Sequence, residues 1–116
     1  MNIAEFSRRS GLSAHTLRYY EKLGLLTGIQ RNNAGHRLYR ESDIEWAAFI
    51  NRLKDTGMPL KDIIRYSTLR AAGEPTMKER QQMLTEHRIR LQQRITEEQQ
   101  HLKALDKKIA WYEEHS

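Results

Sequence analysis

The chain has 116 residues, no cysteine and a formal net charge of +5. That length limits it to one compact domain or a small domain with an extended element, and without cysteine there are no disulfides, thiolate metal sites or thiol redox chemistry. No apolar run approaches the ~18 residues that span a bilayer, and the opening "MNIAEFSRRSG" has no secretory h-region, so a cytoplasmic location and no membrane partner are expected.

Asn2 is placed to cap a first helix carrying Ile3, Ala4 and Phe6 and ending at Gly11. Ser13 then caps a second helix over 14–23, stopped by Gly24. Two short helices joined by "SGLS" fit a helix-turn-helix, whose second helix enters the major groove, but the spacing fits an ordinary αα-hairpin as well. Within "HTLRYYEKLG", Leu17 and Tyr20 are three apart and share a side that can lean on Phe6, Leu12 and the third helix. Arg18 and Tyr19 project elsewhere. The guanidinium fork suits a phosphate or a guanine edge, and the tyrosine hydroxyl can donate to a phosphate oxygen.

In "GIQRNNAGHRLYR", Ile29 and Arg31 alternate before a glycine-containing loop, and Arg37 and Tyr39 alternate after it. This predicts a short β-hairpin, a wing beside the helix-turn-helix. Ser42 is expected to cap a third helix, with Asp43 and Glu45 near its N-terminus and Ile44, Ala47, Ala48, Ile50 and Leu53 on its apolar face. Gly57 ends that helix, and Pro59 suits the first turn of a fourth carrying Leu60, Ile63, Ile64 and Leu69. Gly73 and Pro75 break the chain, and Thr76 is expected to cap a fifth and last helix. The predicted domains are therefore 1–72 and 76–114.

From 77 to 114 there is neither Gly nor Pro, which predicts one helix of roughly 55 Å. Heptad position d falls on Met77, Leu84, Leu91, Glu98, Leu105 and Tyr112, and position a on Gln81, Arg88, Ile95, Leu102 and Ile109. All but Gln81, Arg88 and Glu98 are apolar or tyrosine, which fits a coiled coil. A parallel pair would set Arg88 against Arg88 and Glu98 against Glu98. An antiparallel pair with its axis near Gln92–Arg94 sets Leu91 against Ile95, Leu84 against Leu102, Met77 against Ile109, and Arg88 against Glu98. Only Gln81 opposite Leu105 is then mixed. An antiparallel homodimer is therefore expected, with the Arg88–Glu98 layer setting register more than adding stability. The alternative is a helix with two tolerated surface positions.

Charge divides along the same line. Residues 1–70 hold 12 Lys/Arg against 7 Asp/Glu, and residues 71–116 hold 8 against 8, so all of the excess lies in the first part. A polyanion-binding head with a neutral partner segment would have this distribution.

The stretches "IAEFSRRSGLSAHTLRYYEKLGLL" and "RNNAGHRLYRESDIEWAAFINRLKDTGMPLKDI", with the long final helix, resemble the mercury-resistance-regulator (MerR) family of bacterial transcription factors. The motifs that carry the resemblance are T-L-R-Y-Y-E, the wing Gly35-His36-Arg37-Leu38-Tyr39, and the second wing G-M-P-L. It implies a mainly α fold, a winged helix-turn-helix of four helices and a hairpin, followed by a long helix forming an antiparallel coiled-coil dimer. It also implies a palindromic promoter operator, bending and untwisting of an over-long promoter spacer, and RNA polymerase as a partner at that promoter.

On this resemblance Arg18, Tyr19, Arg37 and Tyr39 contact DNA. Base reading falls early in the second helix, among Ser13, Ala14, His15 and Thr16, with His15 and Thr16 favoured. Ser13 is at least a cap, Thr16 has a plain exposed reading, and Lys61 is either a phosphate contact or an ordinary solvent lysine. Arg31 and Arg40 lie beside the DNA backbone or are merely solvated. Leu84, Arg88, Leu91, Ile95, Glu98, Leu102, Leu105 and Ile109 form the dimer seam.

Metal- and thiol-sensing relatives use cysteines, which this chain lacks. It also ends soon after the coil, so a separate ligand domain is not expected. The five histidines (His15, His36, His87, His101 and His115) contain no i, i+4 pair, and neither a metal nor any other cofactor is expected. An unidentified small-molecule effector would meet Trp46, Met58, Tyr66, Trp111 and Tyr112, though residues at such helical spacing are more often core. No nucleophile–base pair or phosphate loop marks an enzyme. The competing readings are a DNA-bending factor similar to phage excisionases, and a coiled-coil adaptor, which leaves Arg18, Tyr19 and Arg37 unexplained.

Overall fold

Asn2 opens the first helix, α1 (Ile3–Ser10), because its Oδ1 accepts the Glu5 amide at 2.9 Å. Gly11 closes it at φ 75°, a left-handed cap that only glycine adopts without strain, with its amide on the Ser7 carbonyl at 3.0 Å. In this computed structural model, which describes residues 1–116, Ser13 caps α2 (Ala14–Lys22) by accepting the Thr16 amide at 3.1 Å. Both caps are those the sequence specifies. Ser13→Ala is expected to cost about 1 kcal/mol, measured by urea unfolding, without altering the cooperativity of the transition.

The wing pairs β1 (Gln30–Arg31) antiparallel to β2 (Arg37–Leu38), with Gln30 opposite Leu38 and Arg31 opposite Arg37. Two pairs are too few to hold a ribbon, and the loop supplies the rest. Asn32 Oδ1 accepts the amides of Ala34 and His36, each at 3.0 Å, and Gly35 at φ 81° turns the chain. Beyond β2, Tyr39 exchanges backbone hydrogen bonds with Met1, its amide on the Met1 carbonyl at 2.7 Å and its carbonyl accepting the terminal ammonium at 2.6 Å. The base of the wing is thus sewn to the start of α1.

The third helix, α3 (Glu41–Asp55), starts before the expected Ser42 cap. Asp43, at the third helical position, reaches back to accept the Arg40 amide at 2.9 Å and leaves Ser42 inside the first turn. Ala47, Ile50 and Leu53 are buried as expected, Trp46 is buried beside them, and Ala48 is exposed. Helix α4 (Leu60–Ala72) begins just after Pro59, whose carbonyl accepts the Asp62 and Ile63 amides at 2.9 and 3.1 Å. Ile63, Tyr66 and Ser67 are its buried residues, and Leu60 faces solvent instead of joining the core.

The core joins Phe6, Leu17, Tyr20, Leu25, Leu26, Tyr39, Trp46, Ile50, Leu53, Met58 and Ile63. A polar link between this core and the segment after α2 is the Leu25 carbonyl, which accepts Trp46 Nε1 at 2.7 Å and Ser67 Oγ at 3.3 Å. Donors from α3 and α4 thus meet on the segment that follows α2, so the inner face of that helix is fixed to the body of the domain. Trp46, Met58 and Tyr66 are packed residues, with the Trp46 and Tyr66 rings stacked at 5.9 Å, and not the lining of an open cleft.

A 3₁₀ turn, Glu74–Thr76, leads into α5 (Met77–His115), 39 residues long and therefore about 58 Å. Thr76 does not cap it by accepting an amide. Its hydroxyl donates to the carbonyls of Leu69 at 2.6 Å and Gly73 at 2.7 Å, holding the end of α4. Two compact units, Met1–Gln81 and Gln82–Ser116, divide within α5. In the second unit Met83 and His87, one turn apart, are buried although the heptad gives them no place. Ile95, Leu102, Leu105, Ile109, Trp111 and Tyr112 are exposed. No helix is long and apolar enough to cross a membrane.

Candidate nucleic-acid interface

The inner side of α2 buries Leu17 completely and leaves Tyr20 only 3% exposed, and its outer side carries exposed His15, Arg18 and Tyr19. A rise of 1.5 Å and a turn of about 100° per residue make that division unavoidable. Burial of the one face dictates display of the other. Ser13 is exposed at the start of the helix, and its Oγ also donates to Thr16 Oγ1 at 2.9 Å. The half-buried Thr16 hydroxyl still has its own proton to donate.

Beside this face, Asn2, Ile3, Ala4, Arg18, Arg31 and Arg37 are among the residues lining a half-open concavity of about 400 Å³ between the start of α1, α2 and the wing. Three guanidiniums around one hollow make it a place for anionic oxygens. Arg31 is steadied by donating from a terminal nitrogen to the Gly35 carbonyl at 2.9 Å. Arg37 donates through Nε to Glu21 Oε2, and another Arg31 nitrogen lies 3.7 Å from Glu21 Oε1. Sequence reasoning gave Glu21 no role, because the contact joins residues 16 apart in sequence. An acidic residue amid a basic run was the only signal available.

Lys61 is exposed in the first turn of α4 and is not among the residues lining the hollow. Tyr39 is a correction. It is 2% exposed, its ring lies 4.4 Å from that of Phe6, and its hydroxyl is buried without a partner. The alternation that placed it on the wing ends with β2, and pairing with Met1 turns the ring inward. As a core residue it cannot meet a duplex in this conformation.

Burial raises the pKa values of both Tyr20 and Tyr39, helped by the negative charges of Asp55 and Glu21 respectively. A phenol whose folded pKa lies above its unfolded value of 10.0 contributes stability that is complete below pH 10 and lost as pH rises through the folded pKa. Thermal melts are therefore expected to stay level to pH 9 and fall beyond 10. Tyr39→Phe should flatten that fall and leave neutral-pH stability equal or higher by up to about 1 kcal/mol, with duplex affinity unchanged. A drop in duplex affinity would put the Tyr39 hydroxyl back at the interface.

The family model described as "MerR HTH family regulatory protein" matches residues 1–69, more than half of the chain. The chain belongs to the MerR family of helix-turn-helix transcriptional regulators. A second MerR model, described as "MerR, DNA binding", matches residues 44–108 and so extends the likeness into α5. The regulator AdhR of Bacillus subtilis is 41% identical over 91 residues, covering 78% of this chain and 65% of AdhR, so the chain spans just under two thirds of that relative. Among solved structures, one from Listeria monocytogenes described as a MerR family transcriptional regulator superimposes with a TM-score of 0.91 at 39% identity, over 97% of this chain and 86% of that one. HiNmlR, a MerR family regulator lacking the sensor domain and solved on promoter DNA, gives a TM-score of 0.85 at 34% identity, again over 97% and 86% of the two chains.

Proposed function

We propose that this MerR-family regulator works in the bacterial cytoplasm as an antiparallel homodimer on a palindromic promoter operator, bending and untwisting the spacer so that RNA polymerase can engage it. The observation that carries the reading is the hollow between α2 and the wing, lined by Arg18, Arg31 and Arg37, on a helix that also exposes His15 and Tyr19. Arg18, Tyr19 and Arg37 hold phosphates, and Lys61 adds a further positive charge. His15, Thr16 and Ser13 approach base edges at the head of the helix.

The second half of the reading rests on α5. Ile95, Leu102, Leu105 and Ile109 are each at least 40% exposed in the isolated chain, at heptad spacing, on a helix too long for its own head to cover. Pairing two such helices head to tail covers the stripe, puts Arg88 beside Glu98, and fixes the separation of the heads and hence of the half-sites. The exposed Trp111 and Tyr112 end the coil, where an effector would be sensed.

Footprinting on the duplex upstream of the gene tests the whole. The expected result is two protected half-sites related by a dyad, with enhanced cleavage between them where the duplex is bent. Uniform, salt-labile coverage without a dyad would overturn it.

A further inference from the structure

We infer that Glu21 is a positioning residue for the wing, a carboxylate that aims the wing arginines at the DNA backbone and thereby raises specific over non-specific affinity. The inference rests on the α2–wing reading above. An acidic side chain at a surface meant for phosphates is costly on charge alone, since it repels the duplex. Its geometry supplies the compensation.

Glu21 lies one turn beyond Arg18 on α2, the helix whose inner face is locked by Leu17 and Tyr20. Its two oxygens divide between the two strands of the wing, Oε2 taking Arg37 Nε of β2 and Oε1 lying 3.7 Å from a terminal nitrogen of Arg31 of β1. The wing has only two strand pairs of its own, so this fork is its side-chain tie to the recognition helix.

The choice of nitrogen matters. Arg37 donates to Glu21 through Nε, and a guanidinium bound at that nitrogen can still offer its terminal pair for a bidentate grip on a phosphate. Arg31 spends one terminal nitrogen on the Gly35 carbonyl, so its guanidinium plane is set by the loop as well. Both arginines line the same hollow as Arg18. Glu21 thus orders two long side chains before DNA arrives, which removes part of the ordering cost from binding.

Two substitutions separate positioning from charge. Glu21→Gln and Glu21→Ala remove the same negative charge, but the glutamine carbonyl can still accept from Arg37 Nε and the alanine cannot. Affinities would be measured on the intact dimer for a 30-base-pair duplex selected by the wild-type protein from a random pool, and for an unrelated duplex of equal length. With Glu21→Ala the ratio of the two affinities is expected to fall about tenfold, the loss of one charge-assisted bond, and Glu21→Gln should fall much less. Amide exchange over residues 31–38 in the free protein should quicken in the same order. If both variants gain affinity for both duplexes equally, with wing exchange unchanged, Glu21 is only a misplaced charge and the inference fails. A wild-type protein that selects no duplex would instead overturn the DNA reading itself, and the exchange measurement would still judge the Glu21 clamp without DNA.

Discussion

Ile95→Glu is expected to leave the head folded and to split the dimer, lowering the solution mass from about 28 kDa to the 13.8 kDa of one chain. In the proposed antiparallel pairing Ile95 lies beside the dyad opposite Leu91, so two carboxylates would enter the centre of the seam. The helix loses little, since position 95 is 40% exposed in the single chain and glutamate is a good helix former. The consequence for DNA is larger than for the protein. Two linked heads meet a second half-site at an effective concentration of about millimolar, whereas separate heads each bind alone. Operator affinity should therefore fall by a factor of about a hundred or more, read by gel shift at moderate salt, while affinity of one head for one half-site stays unchanged. A milder change addresses register. Arg88→Glu places a carboxylate opposite Glu98 and should weaken the dimer by about tenfold, and adding Glu98→Arg should restore it. The loss and its restoration are specific to antiparallel pairing, because in a parallel pair position 88 faces only its own copy and Arg88→Glu would merely exchange one like-charge layer for another.

Arg18→Ala is expected to weaken every DNA site by about ten- to a hundredfold, corresponding to about 1–3 kcal/mol, and to reduce the salt slope by about one. The arginine is exposed on a helix whose other face is buried through Leu17 and Tyr20, so a shift of the helix to supply the missing charge would cost core packing. It also borders the hollow shared with Arg31 and Arg37, where the remaining two guanidiniums keep the site basic and prevent a total loss. His15→Ala should behave in the opposite way, changing preference among selected sequences with little effect on the slope. Equal salt slopes for wild type and Arg18→Ala would remove this residue from the phosphate contacts.

Much of the head was legible because local chemistry decides it. Asn2 and Ser13 cap their helices through their own side chains, and Leu17 and Tyr20 share a face by the helical period alone. The α3 start shows where such reading slips, since Ser42 has the better capping side chain and Asp43 wins by reaching back to the Arg40 amide. Tyr39 was misplaced because two-residue strands carry almost no alternation, and its direction is set by backbone pairing with Met1, far away in sequence. Glu21 was invisible as a wing anchor for the same reason. Met83 and His87 escaped because the heptad describes one face of α5 and these lie on another. Burial lowers the His87 pKa, with Arg90 and Arg94 adding to the shift, so that ring stays neutral at pH 7.

Distance between two spin labels tests most directly whether the long helices of two copies run in opposite directions. The natural chain has no cysteine, so Lys103→Cys gives one label per protomer on an exposed stretch of α5. Head-to-tail pairing about a dyad near Gln93 separates the two labels by about twenty residues along the axis, or about 30 Å. A pulsed dipolar measurement centred near about 30–35 Å is the expected result. A distance near about 10 Å, the width of a parallel pair, or no dipolar coupling at all, would contradict the account.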